Sequence, residues 1–131
     1  MTDGAASGEC NKIYADTGEV TGGSETDIDL QTALDAVGVA LALDILKALY
    51  IKNDSDAEMA LGWLAGGTAG NAISLFTDPD TETILIPAGG IFFWAQTTTG
   101  IVVDATHKVL RLNAGGAGAK VFDIVVVGVK S

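Results

Sequence analysis

At 131 residues, with a net charge of -10 and a pI near 4.1, the chain has room for one domain and too few bases to neutralise nucleic-acid phosphates or an anionic membrane. Hydrophobic residues nevertheless make up 48% of it and mean hydropathy is +0.38, which sets it apart from acidic disordered chains and demands a true core. The apolar surplus points to surfaces covered by partner subunits, so an oligomer or a docked protein is expected.

No apolar run approaches the roughly 18 residues of a membrane helix, and Met1-Thr2-Asp3-Gly4 does not open a secretory signal, so synthesis in a cytoplasm without export by the usual route is expected. Cys10 is the single cysteine and sits in a polar stretch, which argues against a disulfide-stapled module.

Residues 1–26 are rich in Gly, Ser, Thr and Asp, and only Lys12 to Ala15 is strand-like, which predicts an extended N-terminal arm ahead of a single domain over 27–131. Charge is polarised along the chain. Asp3, Glu9, Asp16, Glu19, Glu25, Asp27, Asp29 and Asp35 face only Lys12 in the first third, whereas Lys108, Arg111, Lys120 and Lys130 face only Asp123 after Thr106. An acidic arm meeting a basic patch on a neighbour is one use of that pattern; plain solvation is the simpler one.

From Asp27 to Asn53 two periods compete. Leu30, Leu34, Val37, Leu41 and Ile45 recur at helical spacing, but Gly38 interrupts them and alternation resumes downstream. The reading adopted is a short helical or turn-like stretch to Val37, then two strands. Beyond it come strands at Glu58–Leu64, Ala72–Phe76, Thr83–Ile86, Ile91–Gln96, Gly100–Val103, Val109–Asn113 and Val121–Lys130, separated by Gly, Pro, Asn and Asp clusters. Short strands at such spacing predict an all-β, antiparallel sandwich or barrel, and the lack of alternating helices excludes a doubly wound nucleotide fold.

In the last strand Phe122, Ile124 and Val126 share one parity while Val121, Asp123, Val125 and Val127 share the other; in the aromatic strand Phe92 and Trp94 oppose Ile91 and Phe93. Apolar side chains on both parities predict a strand at the centre of the sandwich or at a subunit contact. Phe92, Trp94, Phe122, Ile124, Val126 and Trp63 are the interface candidates.

Catalytic chemistry is thinly supplied. His107 is the only histidine, beside Asp104 and Thr106, and pairing it with Cys10 would need the arm to fold back, so a hydrogen-bonded turn histidine is expected and no enzyme activity is. Asp54, Asp56 and Glu58, and again Asp78, Asp80 and Glu82, alternate as cation ligands can, but neither stretch completes a calcium loop; turn chemistry is expected, with no metal and no cofactor. Gly115-Gly116-Ala117-Gly118 lacks the lysine of a phosphate loop.

One succession of segments carries a family resemblance: Ala48-Leu49-Tyr50-Ile51-Lys52-Asn53, a strand ending in Pro87-Ala88-Gly89-Gly90, the aromatic Ile91-Phe92-Phe93-Trp94, Val109 to Asn113, and Phe122 to Gly128, with Asp29 to Gly38 upstream. It resembles the small β-sandwich decoration, or cement, proteins of tailed-bacteriophage heads. That resemblance implies a jelly-roll-like sandwich, acting as a homodimer or homotrimer on the outside of the virion, where it clamps neighbouring subunits of the major capsid protein. The competing reading is a carbohydrate- or receptor-binding module of a phage fibre, with Trp63 and Trp94 as a stacking surface.

Overall fold

A computed structural model describes residues 2–3, 9–35, 37–62, 72–75 and 82–131. In chain order the strands are β1 (Thr2–Asp3), β2 (Glu9–Cys10), β3 (Lys12–Val20), β4 (Glu25–Asp29), β5 (Ile45–Asn53), β6 (Met59–Gly62), β7 (Thr83–Ile86), β8 (Ile91–Ala95), β9 (Ile101–Val102), β10 (Val109–Asn113) and β11 (Lys120–Val129). No helix occurs among the described residues.

The strands form two antiparallel sheets, one ordered β3-β11-β5-β8 with β9 also on β5, the other β4-β10-β6-β7; β1 and β2 make a small parallel pair. Setting aside the two-residue β9, which follows β8 in the same sheet, each strand from β3 onward leads to a strand of the opposite sheet except between β6 and β7, and the last strand lies between the first and third of these. This is the connectivity of a jelly roll, so the fold is the expected all-β antiparallel sandwich. Its core is aliphatic: Leu30, Leu41, Leu43, Leu46, Leu49, Ile51, Met59 and Leu61 are fully buried between the sheets, with Leu112 and Val126 beside them.

β7 and β10 fall where their alternation predicts, and β11 is central, bonded to β3 on one side and β5 on the other. The expected arm is corrected for its second half. Lys12–Val20 is a strand paired with β11 from Lys120↔Val20 to Gly128↔Lys12, and Glu25–Asp29 pairs with β10. An edge strand is held by its backbone ladder, which needs no apolar side chain, so its polar sequence hides it. Gly18 is part of that pairing: opposite Phe122, an added Cβ would lie 2.5 Å from the ring's Cζ, so only glycine lets the ring settle there.

The segment from Leu30 to Asp44 is also corrected. Its described residues form neither helix nor strand but turns and irregular backbone, with one bridge between Leu34 and Ala40. Leu30 and Leu41 plug the core, whereas Leu34 and Val37, which a helix would place on the same stripe, are 59% and 81% exposed. Asp29 Oδ1 accepts from the amides of Gln31 at 2.8 Å and Thr32 at 3.2 Å, the turn-forming habit of a carboxylate that also suits a helix start. The two strands expected downstream are one, β5. Ala72 makes only a bridge to Val109, and Phe76 and Trp63 lie outside the described residues.

Candidate functional site

Register sets which side chains share the outer face of the five-stranded sheet. Reading across β3, β11, β5 and β8, one row is Thr17, Asp123, Lys52 and Ile91; the next is Ala15, Val125, Tyr50 and Phe93; the third is Ile13, Val127, Ala48 and Ala95. Four strands at a spacing of about 4.8 Å make each row roughly 14 Å wide. The second and third rows hold no charge, and their ends are open to solvent, with Phe93 66% and Ile13 65% exposed. Contiguous apolar surface of this kind is characteristic of contact sites. The polar row borders it: Thr17 Oγ1 donates to Asp123 Oδ1 at 2.6 Å, and the Lys52 ammonium pairs with Asp54.

The sequence-derived interface candidates fall on the other parity. Phe122, Ile124 and Val126 are buried in the core and Phe92 and Trp94 pack half-buried against it, so none of these five forms the open face; Trp63 lies outside the described residues. Two apolar parities on one strand do not reveal which one turns inward. Asp123 held the missing signal, because a carboxylate among valines marks the solvent side, and register from it leads to Tyr50 and Phe93. Ile13 lay in the one strand-like piece of the expected arm, Lys12 to Ala15, and so was not placed on the sheet.

Part of the long-range charge pattern is absorbed within the chain. Arg111 on β10 grips Asp27 on β4 through Nε at 2.6 Å and Nη2 at 2.7 Å, and reaches Glu25 at 2.7 Å; Lys108 meets Asp29 at 2.8 Å and Lys130 meets Asp44 at 3.2 Å. The late bases therefore close the edge of their own sheet and its C-terminus. Between β3 and β4 a cleft holds Tyr14, whose hydroxyl donates to Asp16 at 2.9 Å; burial, then that bond and the nearby charge, push its pKa up to about 12.

His107 Nδ1 lies 3.1 Å from Asp104 Oδ1, in a turn where Asp104 also accepts from the Thr106 amide at 2.8 Å and hydroxyl at 2.9 Å. The Thr106 amide first, then its hydroxyl and His107, bring the Asp104 pKa down to about 2. The histidine's carboxylate partner is thus engaged in holding the turn. Asp54 turns to Lys52, not to Asp56 or Glu58, and no group of three His, Cys, Asp or Glu converges among the described residues; Asp78 and Asp80 lie outside them.

Asn53 is a structural centre that its turn-like sequence context conceals. Fully buried, its Nδ2 donates to the carbonyls of Ala57 at 2.8 Å, Ile86 at 3.0 Å and Pro87 at 3.2 Å, and its Oδ1 accepts from Ser55 N at 3.0 Å. It thereby ties the β5–β6 turn to the β7–β8 turn that carries the chain onto the aromatic strand.

No protein-family model matches the sequence, and no curated protein does. Among solved structures, the chain is similar to one described as the crystal structure of PirA, with a TM-score of 0.46 and 12% identity over 87% of this chain and 93% of that one. It is also similar to a Bacillus endospore appendage protein of a family of disulfide-linked pili, with a TM-score of 0.39 and 17% identity over 100% and 99%. The fold assignment rests on strand order; neither structure is a phage head protein, and the expected resemblance to that family rests on the sequence segments alone.

Proposed function

We propose that the protein is a non-enzymatic decoration protein that seats the uncharged rows of its outer sheet on neighbouring major capsid subunits of a phage head. The observation that carries this is the pair of uncharged rows whose ends, Ile13 and Phe93, stand open to solvent, an apolar face across four strands of a strongly acidic chain. Burying such a surface on a shell gives a favourable contact without any reacting group. The sequence resemblance supplies the identity of the shell; the jelly-roll sandwich is compatible with it.

The test is stoichiometry followed by reconstitution. Purified heads should carry many copies in fixed ratio to the major capsid subunit, and heads stripped of the protein should rebind the wild-type chain but not the folded Ile13→Lys variant. A protein found at a few copies per particle, or Ile13→Lys rebinding like wild type, would sink the reading.

A further inference from the structure

The five-stranded sheet ends at β3 on one side and β8 on the other. β3 carries Lys12, Asp16 and Glu19, the charges with which natural edges discourage further pairing. β8 carries none: Ile91-Phe92-Phe93-Trp94-Ala95 has no charge, no proline and no bulge in its pairing with β5.

The phase of that pairing decides which backbone groups remain. Asn53 N donates to Gly90 O at 2.9 Å and Gln96 N to Lys47 O at 2.8 Å, and hydrogen-bonded pairs in an antiparallel ladder recur at every second residue. Phe92 and Trp94 therefore bond β5, while the N–H and C=O groups of Ile91, Phe93 and Ala95 point away from it. No strand among the described residues pairs with that edge.

We propose that β8 pairs antiparallel with β8 of a second copy, about a two-fold axis at Phe93. The sequence of the strand is complementary to itself in that register. Phe93 meets Phe93, Ile91 meets Ala95 as large against small, and Phe92 meets Trp94 on the inner side. The residues with outward backbone groups are the ones that face each other, so each can exchange hydrogen bonds. Cross-strand aromatic and aliphatic pairs of this kind stabilise a sheet. The charged β3 edge leaves the outer ends of the joined sheet guarded, so assembly closes at two.

The pairing joins the row Ala15, Val125, Tyr50 and Phe93 to its own copy, doubling the uncharged surface. For the use of that doubled surface it rests on the docking reading above; for the pairing itself it does not.

Sedimentation of the isolated wild-type chain should show a dimer. Phe93→Pro removes an outward N–H without touching the β5 ladder, and Ala95→Lys installs an edge charge; each should raise the dimer dissociation constant at least ~100-fold with the β circular-dichroism spectrum unchanged. Should the proline unfold the chain, the lysine decides. Register is read by cysteine: in a Cys10→Ser background, Phe93→Cys should form an intermolecular disulfide, because Cα atoms of a hydrogen-bonded pair lie about 5.5 Å apart. Ile91→Cys alone should not. A monomeric wild type, a dimer indifferent to both substitutions, or equal cross-linking through Ile91→Cys would overturn the proposal. A monomer that still coats heads would overturn the pairing alone, and a dimer that ignores heads would overturn the docking alone.

Discussion

Along one side of the sandwich, β3 and β4 present Lys12, Asp16, Glu19, Glu25, Asp27 and Asp29, and Arg111 of β10 with Lys108 just ahead of it answers three of those acids; along the other, β7 and β8 run from Thr83 to Ile86 and from Ile91 to Ala95 without a charge. The first side is closed by ion pairs in contact with water. The second is closed from within, by Asn53 bonding the turn that joins its two strands. A chain of net charge -10 that keeps two edge strands free of charge has concentrated its self-repulsion elsewhere, which leaves those strands able to accept protein.

The largest difference between the sides should appear on removing their ties. Asn53→Ala leaves buried carbonyls of the β5–β6 and β7–β8 turns without a donor, and should cost about 3 kcal/mol in urea unfolding. Arg111→Ala removes a forked pair on the wet side and should cost about 1 kcal/mol or less, an effect that shrinks as salt is raised. Equal costs, or a salt-dependent loss at Asn53, would break the contrast between a buried tie and a screened one.

That contrast was only half legible in the sequence. Alternation over Thr83–Ile86, Val109–Asn113 and Val121–Lys130 revealed the sandwich, because each of these strands turns apolar side chains to the core. β4 and the part of β3 beyond the strand-like Lys12 to Ala15 escaped because edge strands rich in Asp, Glu and Thr are stabilised by ladder bonds, which leave no hydrophobic period. The turns from Leu30 to Asp44 imitated a helix because their leucines reach the core from irregular backbone, where spacing has no fixed meaning. The open face of the outer sheet was missed through parity: Phe92 and Trp94 are the larger aromatic pair, yet they point inward, and size does not report direction. The polarisation of charge was visible from the start, but its partners lay in sheet register, with Val109↔Asp29 and Arg111↔Asp27, which no linear reading supplies.

The smallest expected effect sharpens the comparison at a single carboxylate. Burial opposes ionisation of Asp29, but the Lys108 ammonium and the amides of Gln31 and Thr32 outweigh it and hold its pKa below the ordinary 3.8. Because the folded value is the lower one, the stabilisation is complete above 3.8 and is lost as pH falls through the folded value. Acid should therefore loosen the turn after β4 first. Carboxyl titration by NMR should place the Asp29 midpoint below 3.8, and over that same window the amides of Gln31 and Thr32 should lose exchange protection while those of Leu49 and Ile51, bonded to β8, keep theirs. If both sides loosened together, the wet side would not be an independent closure, and the ion pairs of β4 and β10 would be part of one cooperative unit with the core.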